Sequence, residues 1–148
     1  MGIAELAARR STCFRGNVGA VIISNNRDPV SIGYNGPPSG EPHCQGNGCS
    51  LGPTGGCVRS VHAEINALDR MELRVGQGPF DLYVTSNPCP DCANAIVDSG
   101  LIQRVYYQSP YRIKTGIGVL LDAQIEVFRL SPSGYLVNER TQEVLEAN

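Results

Sequence analysis

The chain has 148 residues, a formal net charge of −2, 41% hydrophobic residues, six cysteines and no tryptophan. The charge balance is not the strongly basic one of a polyanion binder, and the scarcity of aromatics argues against a base-stacking platform for single strands. No apolar run approaches the ~20 residues that cross a bilayer, and the length suits one domain over 1–148 that buries its core without disulfides.

Ile3, Leu6 and Ala7 share a face and predict a short helix within the first ten residues. The opening MGIAELAARRSTC has no extended apolar core and no cleavage pattern, so no secretory leader is expected. Leu6 stands where myristoylation at Gly2 wants Ser or Thr. The expected compartment is the cytoplasm, where cysteines serve as metal ligands or free thiols more often than as disulfides. VGAVIIS (18–24) is predicted as a buried strand, NNRD (25–28) as a turn and PVSIGYN (29–35) as the returning strand. A loop rich in Gly, Pro and Cys fills 36–59, a length that implies a function or a metal staple. Then come a helix over 60–72 with Ser60 as N-cap, a strand over 80–86, and a helix over 90–100 that starts on a proline and stops on Gly100. A strand over 104–108, a short helix over 116–123 and a strand over 125–130 follow, and the polar tail 131–148 fits a hairpin, a short helix or a partner contact. Alternating strands and helices in the second half predict parallel pairing with right-handed crossovers. With the opening hairpin the expectation is an α/β fold: a three-layer α-β-α arrangement around a mixed five-stranded sheet.

Two short stretches carry the chemistry. In NPCPDC (87–92), Cys89 and Cys92 open a helix at a spacing that puts both sulfurs on one face. Backbone N–H groups at a helix start favour thiolates, and zinc accepts such ligands together with imidazole. In VHAEINAL (61–68), His62 opens the preceding helix and supplies a third ligand. Three protein ligands leave one tetrahedral position for water, the catalytic arrangement. Residues i and i+2 do not share a helix face, yet side chains of a first turn converge beyond the helix end. Glu64 therefore reaches such a water without binding the metal, and can move its proton to a substrate nitrogen. Each half is weak alone: C-x-x-C also suits a redox pair or half of a structural zinc site, and a lone Glu is usually solvated.

H-x-E followed by P-C-x-x-C resembles the signature of zinc-dependent nucleobase deaminases. The chain is similar to the cytidine deaminase superfamily, and within it to the deoxycytidylate deaminases, from about Ser11 to Leu130. STCFRGNVGAVI (11–22), GYNGPPSGEPHC (33–44), VHAEINA, NPCPDC and, loosely, PYRIKTGIGVLLDAQIEV (110–127) carry the resemblance. It implies a cytidine deaminase-like fold and hydrolysis of dCMP to dUMP and ammonia, with water activated by zinc adding at C4 while Glu64 protonates N3 and then the leaving amino group. It also implies that Asn35 contacts the sugar, although between two glycines Asn35 reads equally as a turn residue. Arg15 is a bidentate donor for the phosphate or a solvated surface charge. Tyr111 and Arg112 are candidates for wall and phosphate contacts. Two departures from the family pattern fall near the phosphate end, Ile113–Lys114 and Gln124, and they extend the expected substrates to dCTP. Family members are commonly homo-oligomers, often hexamers, activated by dCTP and inhibited by dTTP, and the resemblance carries those expectations.

Some relatives hold a second, structural zinc on cysteines matching Cys13 and Cys44. Cys13, Cys44, Cys49 and Cys57 would make a closed four-thiolate shell, with His43 the substitute for one of them; the plain alternative is free or buried thiols. Two other functions fit parts of the pattern. A nucleic-acid deaminase of the same superfamily needs a basic, aromatic-lined groove for a flipped base. A zinc-stabilised interaction module without turnover has no use for Glu64.

Overall fold

The structure is a computed structural model, and it describes all residues except 14, 45–47, 54, 72–77 and 147–148. Its elements are α1 (Gly2–Ala8), β1 (Gly19–Ile23), β2 (Pro29–Tyr34), α2 (Ala63–Asp69), β3 (Phe80–Ser86), α3 (Pro90–Ser99), β4 (Ile102–Ser109), α4 (Thr115–Asp122), β5 (Glu126–Leu130), β6 (Tyr135–Asn138) and β7 (Val144–Glu146). The helix expected over 60–72 ends at Asp69, with Arg70 as its C-cap; residue 72 lies outside the described residues, as do Phe14 of the opening block and the last two residues of the tail.

One sheet runs in the order β2-β1-β3-β4-β5-β6-β7. The β3–β4 and β4–β5 pairs are parallel and all the others antiparallel. The sheet thus has seven strands where five were expected. The extra two come from the tail, whose hairpin reading is the one that holds. Phe128 pairs with Asn138 and Leu130 with Leu136, and Tyr135 pairs with Glu146. Strands of four and three residues, mostly exposed, offer no hydrophobic alternation to read, so they escape a search based on periodicity.

Helices cover both faces. Successive strand residues point to opposite sides, and two glycines register this: a Cβ on Gly19 would run into the backbone of Ala4 and Ala8 of α1, and one on Gly33 into Ala63 and Ala67 of α2. Gly33 pairs with Ala20, so the α2 side is the side of Ala20 and Ile22. There the core packs Ala63 and Ala67 of α2, Ala93 and Ile96 of α3 and Leu120 of α4 onto Leu82, Val84, Val105 and Val127. Tyr83, Tyr106 and Phe128 stack along the other face, with ring centroids 4.5 and 5.1 Å apart. Among the described residues no helix is long and apolar enough to cross a membrane.

This topology gathers one edge. Tyr34 at the end of β2 lies beside Gly19 at the start of β1, and Ala20 lies beside Val84 near the end of β3. Ser86 and Ser109 close β3 and β4 side by side. Loops and helix starts at strand ends are where α/β sheets leave room for ligands.

Candidate active site

The helix after the long loop begins later than its sequence predicts. Val61 exchanges hydrogen bonds with Gly36, at 2.8 and 3.1 Å, and this bridge keeps residues 60–61 extended. The N-cap is therefore His62, not Ser60, and its side chain makes no capping bond. Cys89 is the N-cap of α3, also without a capping bond, and Pro90 follows it at a position whose N–H has no helical partner. Both cap side chains are free to turn to each other. His62 Nδ1 lies 3.2 Å from Cys92 Sγ and 3.4 Å from Cys89 Sγ. The three ligand atoms fall within 4.8 Å of one another. Bonds of about 2.0–2.3 Å to a tetrahedral zinc set separations of this size between ligands, so the three side chains fit the ion.

The electrostatics suit a cation. The hydrogen bond from Cys92 holds the Cys89 thiol well below its ordinary value, at about 4, with His62 adding to the effect. The Cys92 thiol is pushed up by the same bond and by burial, and a metal binding there would displace its proton. The hydrogen bond with Cys89 raises the His62 imidazole. Glu64 is 4% exposed, and burial pushes its carboxyl above the usual carboxylate range. It lies beside Cys92 and lines the same cavity as His62, as the first-turn convergence predicts.

The cavity is about 280 Å³, near the lower end of small-molecule sites. His62, Glu64 and Cys89 line it together with Asn35, Arg15, Tyr111 and Arg112, so every residue expected at the substrate is brought to one place. Asn35 differs from expectation in detail. Its Oδ1 accepts from Val18 N–H at 2.8 Å and its Nδ2 donates to Gly16 O at 2.9 Å, so the amide clamps the segment leading into β1. One N–H and one lone pair remain for a ligand. Arg15 donates to Gly55 O at 2.9 Å. A Cβ on Gly55, whose φ is +71°, would sit 3.0 Å from Arg112 Nη1, so both guanidiniums border the same glycine. The Arg112 guanidinium also lies 5.5 Å from the Tyr111 ring centroid.

Sequence reasoning missed Asn87. It is 3% exposed, lines the cavity, accepts from Tyr111 N–H and donates to Ile113 O at 3.2 Å. Its place two residues before a ligand was the available signal, but an Asn before Pro reads first as a turn residue.

Three of the four remaining expected ligands also come together. Cys44, Cys49 and Cys57 have their sulfurs within 4.8 Å of one another, with Cys44 and Cys57 at 4.0 Å. Cys13 is buried and stands outside that set; burial and then the Cys57 thiol raise the Cys44 and Cys49 thiols, and Cys13 adds a smaller push in the same direction. His43 is exposed and not in the cluster. Burial works to raise the Cys57 thiol, but N–H groups of Arg59 and Ser50 and the neighbouring thiols point at its sulfur and hold it below the ordinary value. The strand-like bridge Leu51–Cys57 and the Arg59 contacts to Gly48 O and Pro42 O fix this loop.

Residues 1–109 match the family described as the cytidine and deoxycytidylate deaminase zinc-binding region. The chain is 40% identical over 113 residues to ComE operon protein 2 of Bacillus subtilis (strain 168), covering 76% of this chain and 58% of that protein. It is 42% identical over 125 residues to the deoxycytidylate deaminase of Mycobacterium phage D29, covering 72% and 89%. Against the deoxycytidylate deaminase of Schizosaccharomyces pombe (strain 972 / ATCC 24843) it is 36% identical over 131 residues but spans only 40% of that protein's length. Among solved structures, dCMP deaminase from the cyanophage S-TIM5 in complex with dCMP and dUMP superimposes with a TM-score of 0.74 at 37% identity, over 86% of this chain and 91% of that one. By its motifs, its fold and these likenesses, the chain belongs to the zinc-binding family of cytidine and deoxycytidylate deaminases.

Proposed function

We propose that the chain hydrolyses dCMP to dUMP and ammonia. The observation that carries this reading is Glu64, a buried carboxyl beside a three-ligand corner and not one of its ligands. A purely structural metal has no use for such a group. His62, Cys89 and Cys92 hold the catalytic zinc. When bound, that ion supplies Lewis acidity and brings the pKa of a water near neutrality. Glu64 takes the proton of the attacking water and passes it to N3 as the oxygen adds at C4. The carboxyl then takes the second proton of that water, left on the C4 oxygen, and passes it to the amino group as the C4–N4 bond breaks, so C4 becomes a carbonyl, one water is consumed and ammonia leaves. Its raised pKa, from burial, suits a group that carries a proton in each of these transfers.

Arg15 and Arg112 flank Gly55 at the cavity and take the phosphate, as charge-assisted donors. Asn35 offers its free amide N–H to the sugar, and Tyr111 walls the base. Two arginines beside one loop, with a chain net charge of −2, favour a single nucleotide over the long anionic track of a nucleic acid. The cyanophage relative solved with dCMP and dUMP supports the same substrate class. A second, structural zinc is held by Cys44, Cys49 and Cys57, with Cys13 as the fourth ligand in preference to the exposed His43. A homo-oligomer of hexamer size and a response to dCTP and dTTP belong to the same reading, and sedimentation with and without each effector tests both.

The deciding experiment is an ultraviolet assay over cytidine, dCMP, dCTP and a cytosine-containing oligonucleotide. Turnover of dCMP is expected, with dCTP slower. Activity confined to the oligonucleotide would overturn the reading.

A further inference from the structure

We propose that Asn87 is a positioning residue that fixes the distance between the metal corner and Arg112, and so selects nucleotides over nucleosides. The inference rests on the activity proposed above. Asn87 lies two residues before Cys89, and its own N–H donates to Ser109 O at 3.0 Å, which fixes it to the end of β4. Its amide faces the segment joining β4 to α4. Oδ1 accepts from Tyr111 N–H, and Nδ2 donates to Ile113 O at 3.2 Å. One side chain thus satisfies two backbone groups, as a neighbouring strand would, on either side of Arg112. The remaining Nδ2 hydrogen faces Pro88 O at 3.5 Å, so no donor is left for a substrate. Asn87 therefore acts through the loop.

A second contact makes the geometry rigid. A Cβ on Gly116 would run into Pro88 O and into the Cys89 backbone, so the start of α4 rests directly on the metal-bearing turn. The loop from 110 to 114 is held between these anchors. Arg112 is exposed, and its guanidinium lies against the Tyr111 ring and beside Gly55. Its position is set by its backbone, and its backbone by Asn87. Removing the amide would leave Tyr111 N–H and Ile113 O without their partner and free the loop to move away from the cavity. The base would still meet the metal corner, while the phosphate would lose its arginine.

The test compares Asn87→Ala and Asn87→Ser with the wild-type holoenzyme. Zinc content is measured first, then kcat and KM for dCMP and for deoxycytidine, then binding of dUMP and deoxyuridine by calorimetry. Asn87→Ser, too short to bridge both loop groups, serves if the alanine variant does not fold. Expected are full zinc, a kcat/KM for dCMP reduced about tenfold through KM, a matching loss of dUMP affinity, and deoxycytidine within about threefold of wild type. Equal losses on nucleotide and nucleoside, or no loss on either, would overturn the inference while leaving the activity reading intact. A wild-type protein inert toward dCMP would instead overturn the activity reading and this inference with it.

Discussion

The His62–Cys89–Cys92 corner and the Cys44–Cys49–Cys57 loop use the same ligand chemistry on opposite scaffolds. In the first, the ligands sit at the starts of α2 and α3, and both helices pack their alanines onto the central strands. The framework would hold these side chains together without any metal. In the second, the sulfurs hang on a segment held by local turn hydrogen bonds, by the bridge between residues 51 and 57 and by Arg59 reaching two carbonyls. There a metal would organise the chain, and in the corner the chain organises a metal. Among the described residues only the corner has a buried carboxyl beside it, and three ligands there would leave a coordination position for water, whereas Cys13 would close the shell of the loop. The two regions meet at Gly55 and Cys57, which line the cavity alongside Glu64.

The largest effect should come from Glu64→Ala. If the corner is a reaction centre, this variant keeps its zinc and its fold while dCMP turnover drops by about 10²–10⁴-fold, the usual worth of a positioned general acid–base. Metal analysis and steady-state kinetics on the same sample check both halves. Normal turnover would erase the functional difference between the two regions.

The loop should respond in the opposite sense. Cys49→Ser should remove one of two zinc ions per chain and cost about 3 kcal/mol of stability, since losing a structural metal is among the large single-site effects. Because Gly55 and Cys57 line the cavity, KM for dCMP should rise while kcat changes little. Metal counting, thermal unfolding and kinetics separate these outcomes. A single zinc per wild-type chain, unaffected by Cys49→Ser, would make the cluster a set of free thiols.

What could be read from the sequence follows the same division. The corner was legible because helix starts have strong local signals, and because a His, a Glu and two Cys at fixed offsets mean little except together. The parallel pairing of β3, β4 and β5 and the two-faced layering followed from the alternation of strand and helix segments. Other features depend on contacts between segments far apart in the chain. The start of α2 shifted from Ser60 to His62 because Val61 pairs with Gly36, a bond no local propensity encodes. Asn35 proved to be a clamp on 16–18 as well as a residue of the cavity wall, for the same reason. Of the four thiols the sequence names for the loop, the structure gathers Cys44, Cys49 and Cys57, and Cys13, far off in sequence, stands outside that set.

The tail offers the mildest test, because it too is a segment with little apolar pattern and no metal to tie it. Its anchor is polar. Tyr107, 3% exposed within the core, donates its hydroxyl to Glu139 at 2.5 Å, and Arg129 meets the same carboxylate oxygen at 3.3 Å. Glu139 follows β6 directly, so the pair pins the turn that leads into β7. Tyr107→Phe keeps the packed ring and removes one hydrogen bond to a charged group, a loss of about 1–2 kcal/mol. Arg129 still neutralises the carboxylate, which keeps the effect small. Denaturant unfolding should show that loss, and amides of β6 and β7 should exchange faster while those of β3 and β4 do not. Turnover of dCMP should stay within about twofold, since Tyr107 touches neither the cavity nor its loops. Unchanged exchange in β6 would mean that backbone pairing to β5 alone holds the tail, and that a polar tie can be dispensed with where a metal cannot.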